Sequence, residues 1–173
     1  FTADPGRLAF WGCMLSGAAG HTYGANGIWQ LNRKNQPHGN SPHGGNYGTI
    51  TWQEAMGLPG STQLSLGKKL LEKYGWEKFT PHPEWAAYEK PLEGEAAEVN
   101  ALFAAGIPGK VRFIYVPANA AIVVNDVEPK INYYAKAFDA VGGQIDEVVF
   151  DPDKPVVPPS WCKQDWLLIL YTH

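Results

Sequence analysis

The spacing of apolar residues changes along the chain, and each change marks an element. Asp4-Pro5 opens the first, with Asp4 as N-cap and Pro5 at the first helical position, where its missing N–H costs nothing. Leu8, Trp11 and Leu15 share one helical face and Phe10, Cys13 and Met14 another, so this helix is apolar on two sides and expected between neighbours. Gly17 and Gly20 end it. The next stretch, GHTYGANGIWQ, is short, aromatic and punctuated by glycine, which fits one buried strand running into a functional loop, although periodicity alone does not prove it. Residues 31–48 are polar and rich in Asn, Gly, Pro and His, a loop longer than a compact domain keeps without a use. After Trp52 a PGST turn at 59–62 precedes Leu64, Gly67, Leu70, Leu71 and Tyr74, which recur at helical spacing with Lys68, Lys69 and Glu72 outside. Gly75 stops that helix.

Residues 80–94, with Pro81, Pro83 and Pro91, have the composition of a domain junction. Beyond Glu95, short apolar runs separated by Pro, Gly, Asn and Asp predict strands. Pro108-Gly109 suits the centre of a type II turn, so 101–107 and 111–116 are expected to pair as a hairpin. Phe113 and Tyr115 then fall on one face, Arg112 and Ile114 on the other. Further strands are expected at 121–124, 133–138, 147–150 and 166–171. The last, with its uninterrupted LLIL, belongs in the middle of a sheet covered on both sides. Six short strands with no helix between them favour a β-sandwich.

Composition narrows the classes. With 173 residues the chain falls short of the roughly 250 that a complete eight-fold α/β barrel needs. Apolar residues make up 45% and charged ones 18%, which excludes a disordered, solvating chain. A net charge of −3, with basic runs no longer than Arg33-Lys34 and Lys68-Lys69, leaves no electrostatic case for nucleic acid. Cys13 and Cys162 follow no disulfide pattern and are expected as free thiols. No run approaches the roughly 20 apolar residues of a membrane span, so no membrane partner is expected. The opening FTADPGRLAFWG, without Met, reads as a piece of a longer or processed polypeptide. Seven Trp and eight Tyr supply flat amphipathic rings suited to the apolar faces of sugars, although most are expected in the core.

The run GAAGHTYGANGIWQ, preceded by FWGCMLSG and followed by TWQEAMGLPGSTQL, resembles the apiosidase-like glycoside hydrolases. The resemblance covers nearly the whole chain and is strongest over residues 9–81. VRFIYVP and QDWLLILY look like strands of the β-sandwich that follows the barrel in that family and goes by the name of a collagen-binding domain, although nothing in these residues makes a physical case for collagen. The resemblance implies an α/β barrel fragment, the last helix-strand-helix part of a TIM-like barrel, over residues 1–81. Its eighth strand would be 20–23 and its eighth helix 62–74. Residues 82–94 would be a linker and 95–173 an all-β sandwich domain. Such sandwiches carry an aromatic residue followed by Asp-Pro and a glycine turn; AFDAVGGQ keeps Phe138, Asp139 and the glycines without the proline, so that loop is expected to be rebuilt.

Glycoside cleavage needs two carboxyl groups flanking the bond. Related barrels place them on the fourth and seventh strands, which the resemblance puts before Phe1, so no catalytic residue is assigned here and the isolated chain is expected to be inactive. Its expected contribution is one substrate-binding wall: His21, Tyr23, Asn26, Trp29 and Gln30 fall at the C-terminal end of the implied eighth strand, where barrel chemistry sits. Trp29 would stack on a sugar, and His21 and Tyr23 would bond hydroxyls or orient a carboxylate. The blander alternative has Trp29 plugging the barrel mouth and His21 as a core histidine. His21, His38 and His43 match no ligand spacing, and no metal or cofactor is expected. GANG lacks the full glycine fingerprint and lysine of a phosphate loop. Tyr115, Tyr133, Tyr134 and Trp161 could form a sugar strip, but core positions are favoured; Asn125, Asp126 and Asp139 could hold calcium, but turn roles are favoured. The function expected is that of a C-terminal portion of a secreted glycoside hydrolase cleaving a plant-type or microbial oligosaccharide, partnered by the N-terminal barrel part of the same enzyme. The alternative is a non-catalytic carbohydrate- or protein-binding sandwich module.

Overall fold

The runs 111–116 and 166–171 carry almost no polar position, so neither can leave a face in water, and lying side by side inside a sheet satisfies both. The computed structural model describes residues 3–40, 43 and 45–173, with the backbone alone at 97 and 98. In chain order its helices are α1 (Ala3–Leu15), α2 (Trp52–Ala55), α3 (Pro59–Lys73) and α4 (Glu95–Val99). Its strands are β1 (Thr80–Pro81), β2 (Ala86–Tyr88), β3 (Phe103–Ile107), β4 (Val111–Val116), β5 (Ile122–Val124), β6 (Tyr134–Asp139), β7 (Ile145–Val148) and β8 (Trp166–Tyr171). Six form one sheet in the order β1-β3-β4-β8-β6-β7, and β2 pairs with β5 in a small second sheet. All these pairings are antiparallel. The expected central strand is therefore central, with β8 between β4 and β6 and Leu168 and Ile169 fully buried.

Period-two alternation divides the large sheet between two cores. Phe113, Tyr115, Leu167 and Ile169 face α1 and α3, meeting Phe10, Trp11, Leu64 and Leu71. Trp11 stacks on Tyr115 with ring centroids 5.9 Å apart, so Tyr115 is a core residue. Ile114, Val116, Trp166 and Leu168 face the other way and meet Trp85, just before β2, and Ile122 and Val124 of the small sheet. The expected sandwich is thus lopsided, with two strands covering one face and two helices the other. The helices approach closely because α3 carries Gly67: a Cβ there would lie 2.5 Å from a Phe10 ring carbon. In the β3–β4 hairpin Gly109 has φ +74° and Lys110 N donates to Ile107 O at 3.0 Å, as the Pro108-Gly109 pair predicts.

Several expectations change. Asp4 lies within the first turn of α1 rather than capping it, because Ala3 is already helical and the carboxylate accepts from Arg7. Residues 59–62 are no separate turn: Pro59 takes the first helical position, and α3 starts three residues earlier than the helix 62–74 that the resemblance implied. Thr51 and Glu54 form a capping box that nucleates α2, an element the periodicity did not reveal. The stretch expected as a linker, 82–94, is largely built into the β-structure: β1 just before it pairs with β3, β2 pairs with β5, and Trp85 is buried. Pro81 before it is tolerated on an edge strand, and Pro83 within it opens a 3-10 turn. The strand expected at 147–150 runs instead over Ile145–Val148, since Asp139 N donates to Gln144 O and closes the β6–β7 turn early, leaving Val149 94% exposed. Residues 20–23 form no ladder, because a strand exists only beside a partner and none of the described strands lies next to them.

Candidate functional site

Five residues were singled out from the sequence, and the structure separates them into two groups. His21, Tyr23 and Asn26 line one cleft of about 700 Å³, closed on its far side by Tyr47, Thr49 and Ile50. Trp29 and Gln30 lie outside that lining. Trp29 is 71% exposed, its backbone N–H donating to Ala25 O at 3.1 Å. The Gln30 Oε1 accepts from Gly27 N at 2.9 Å, so half of its amide closes the turn, while its buried Nε2 has no partner.

His21 and Tyr23 also border a second hollow of about 310 Å³ between α1 and α3, lined by Phe10, Met14, Leu64 and Lys68. The two side chains form the partition between the hollows. His21 meets the Phe10 ring edge-on at 5.6 Å, and the Tyr23 ring lies over Gly60, where an added Cβ would be 2.7 Å from the hydroxyl oxygen. Both rings are thereby held against the helices. The large cleft presents imidazole, phenol, amide and hydroxyl groups, and none of its described lining residues carries a carboxylate or a cationic Lys or Arg. Such a surface can hydrogen-bond a polyhydroxylated ligand. It does not by itself supply the acid and base that glycoside cleavage requires.

Two determinants of this geometry were not singled out in the sequence. Asn32 is 2% exposed. Its Nδ2 donates to Thr49 O at 3.1 Å and Ile50 O at 2.8 Å, and its Oδ1 accepts from His38 N at 2.8 Å. Its backbone receives Trp52 N at 2.9 Å and donates to Gly27 O at 2.8 Å. It therefore ties both ends of the polar loop 31–48 together; positions 41, 42 and 44 of that loop lie outside the described residues. Nothing in the sequence distinguishes Asn32 from Asn35, Asn40 or Asn46. The other determinant is Arg7, 2% exposed, whose Nε and Nη2 donate to the two oxygens of Asp165 at 2.9 and 2.7 Å. Its Nη1 donates to Gln63 at 2.7 Å, and the Tyr115 hydroxyl donates to the same Asp165 at 2.7 Å. This network joins α1, α3, β4 and the approach to β8. Burial alone would lower the Arg7 pKa, but the Asp165 and Asp4 carboxylates outweigh it and raise it. The only sequence signal was a lone arginine in an apolar helix three residues after an aspartate.

Most of the other candidates are turn, core or half-buried residues, but Tyr134, for which a core position was expected, is 52% exposed at the start of β6 beside Tyr171 and His173. Asp139 accepts from Val141 N at 2.9 Å and Gly142 N at 3.0 Å, capping the β6–β7 turn. Tyr133 donates to Glu128, and Trp161 Nε1 to Asp146. Among the described residues no cluster of His, Cys, Asp and Glu could hold a metal. His38 Nδ1 lies 2.9 Å from Gly39 O. Cys13 is exposed, and Cys162 is a buried free thiol whose pKa burial raises.

A family model described as "Apiosidase-like, catalytic domain" matches residues 1–78, the part that holds α1, the cleft and α3. Over these residues the chain is similar to the catalytic domain of the apiosidase-like family. A solved structure described as "Glycoside hydrolase" superposes with a TM-score of 0.78 at 20% identity, covering 99% of this chain and 37% of its own. A glycoside hydrolase family 5 structure from Bacteroides vulgatus ATCC 8482 does so with a TM-score of 0.76 at 19% identity, covering 99% and 36%. At such identities these likenesses show the fold, including the joint arrangement of the apiosidase-like segment and the sheet. The chain spans a little over a third of the length of these structures. No curated protein matches the sequence. No helix among the described residues is long and apolar enough to cross a membrane.

Proposed function

We propose that this chain is the C-terminal portion of a glycoside hydrolase acting on a plant-type or microbial oligosaccharide. In this reading residues 1–81 close a TIM-like barrel and supply one wall of its substrate cleft, residues 95–173 brace that wall, and the preceding polypeptide provides both catalytic carboxylates. The observation that carries it is the cleft of about 700 Å³ inside the apiosidase-like segment, polar and free of charged side chains along its described lining. Its hydroxyl, amide and imidazole groups suit sugar hydroxyls, and exposed Trp29 follows it by three residues from Asn26. A role as a free-standing binding module is disfavoured, because the sheet face that would have to be exposed is covered by α1 and α3.

The test is kinetic. In the complete enzyme, Trp29→Ala should lower kcat/KM by about a hundredfold, equivalent to roughly 3 kcal/mol of positioning, with little change in Tm because the ring is solvent-exposed. Near-normal turnover in this variant would remove Trp29 from the substrate wall.

A further inference from the structure

The cleft has one wall on the segment 21–26 and another on 47–50, separated by a polar loop in which no strand or long helix occurs among the described residues. Asn32 bonds to both sides: its side chain to Thr49 O and Ile50 O, and its backbone N–H to Gly27 O, next to Asn26. We propose that Asn32 is a positioning residue that sets the width of the substrate cleft, acting through Thr49 and Ile50 without touching substrate itself. The inference rests on the reading of this cleft as the substrate wall.

Only a primary amide fits the role. Two backbone carbonyls, Thr49 O and Ile50 O, need donors, and one backbone N–H, that of His38, needs an acceptor. Asparagine offers both from one planar group, whereas an ionised aspartate of the same shape would turn oxygen toward two carbonyl oxygens. Asn32 itself is 2% exposed, so an oxygen in place of its amide nitrogen has little access to water. The walls also have no slack. Gly27, with φ +98°, leaves room for no side chain: a Cβ there would lie 2.8 Å from the Ala55 Cβ and 3.0 Å from both Ile50 O and Thr51 O. The Asn32 N–H holds Gly27 O from the other side. A shift of Thr49 and Ile50 is therefore a shift of the cleft wall relative to Asn26.

The experiment compares Asn32→Asp with wild type in the complete enzyme, using a 4-nitrophenyl apioside and a plant cell-wall oligosaccharide digest as probes, with His21→Ala, a change in the cleft lining, as reference. The expected result is an apparent KM raised about tenfold or more with kcat within about threefold, the signature of lost binding geometry with intact chemistry. Hydrogen exchange should quicken at the Thr51 and Trp52 amides while α1 and β8 keep their protection. Asn32→Ala should move both readouts in the same direction. Wild-type KM in Asn32→Asp overturns the proposal, whether or not the loop amides exchange faster. So does loss of a cooperative melt, or a kcat that falls with stability at unchanged KM, because Asn32 would then be a folding determinant. If Asn32→Asp is neutral while His21→Ala is impaired, only this inference fails; if both are neutral, or no probe is cleaved, the reading of the cleft fails with it.

Discussion

Two buried guanidinium groups show how single residues hold this fold. Arg7 is stabilised by a bidentate pair with Asp165 inside a network that also uses Gln63 and Tyr115. Removing one partner of such a pair strands the other charge, so Arg7→Met should destabilise by about 3–5 kcal/mol in urea unfolding, and adding Asp165→Leu should recover much of that. A loss under about 1 kcal/mol for Arg7→Met would show that the pair contributes little. Arg112 lies 4.2 Å from the Trp85 ring centroid and donates to Asn125 O, Asp126 O and the Glu128 carboxylate. Burial alone would raise the Glu128 pKa, but the Tyr133 hydroxyl and the Arg112 guanidinium outweigh it and hold the carboxyl below its usual 4.5. A depressed acid pKa stabilises the fold above the ordinary carboxylate range, and that contribution disappears as pH falls through the folded-state value. Glu128→Gln should therefore lower the urea midpoint near pH 7 and differ much less from wild type near pH 3. An equal deficit at both pH values would contradict the linkage.

At the scale of elements, α1 and α3 are legible as helices from apolar spacing, but their closeness is not. Gly67 sits in mid-helix, where glycine is unfavourable by about 1 kcal/mol relative to alanine, so propensity alone predicts that Gly67→Ala stabilises. The structure predicts the opposite. The new Cβ would press on Phe10 and lie 3.0 Å from Trp11, both core rings, and overpacking of about 1–3 kcal/mol should exceed the propensity gain. A raised Tm in Gly67→Ala would show that the helices can part freely. The β3–β4 hairpin was legible because Pro-Gly encodes its turn locally. The missed α2 had a local signature too, the Thr51 and Glu54 capping box, but four residues are too few to show a period. The β7 boundary was not legible, since the bond from Asp139 N to Gln144 O decides where the strand resumes.

For the whole molecule, the sheet face carrying Phe113, Tyr115, Phe138 and Ile169 has the helices as its cover, so neither half is complete without the other. Residues 1–81 alone should give no cooperative melt, and residues 95–173 alone should associate through the uncovered face and lack the β1 and β2 pairings. A monomeric, cooperatively melting product from either half, measured by size-exclusion chromatography and calorimetry, would refute this interdependence. The apparent junction at 82–94 misled for the same reason: proline-rich composition marks a linker in one setting and an edge strand or 3-10 turn in another.

Local chemistry was enough to determine the two long helices α1 and α3, the hairpin, the central place of β8 and the polar loop that borders the cleft, because turn residues, apolar periods and uninterrupted apolar runs act over a few neighbours; α2 and α4 were too short to show a period. His21, Tyr23 and Asn26 could be gathered from the sequence because they lie within six positions on one segment, and the family resemblance gave that segment its meaning. Tertiary structure alone decided the rest. Asn32 reaches 17 and 18 residues ahead to Thr49 and Ile50, and Arg7 reaches Asp165 across 158. Hydrogen bonds between such distant residues leave no period or spacing in the chain; they depend on where folding brings the backbone, which is how one asparagine among several in a polar loop comes to join the walls of the cleft.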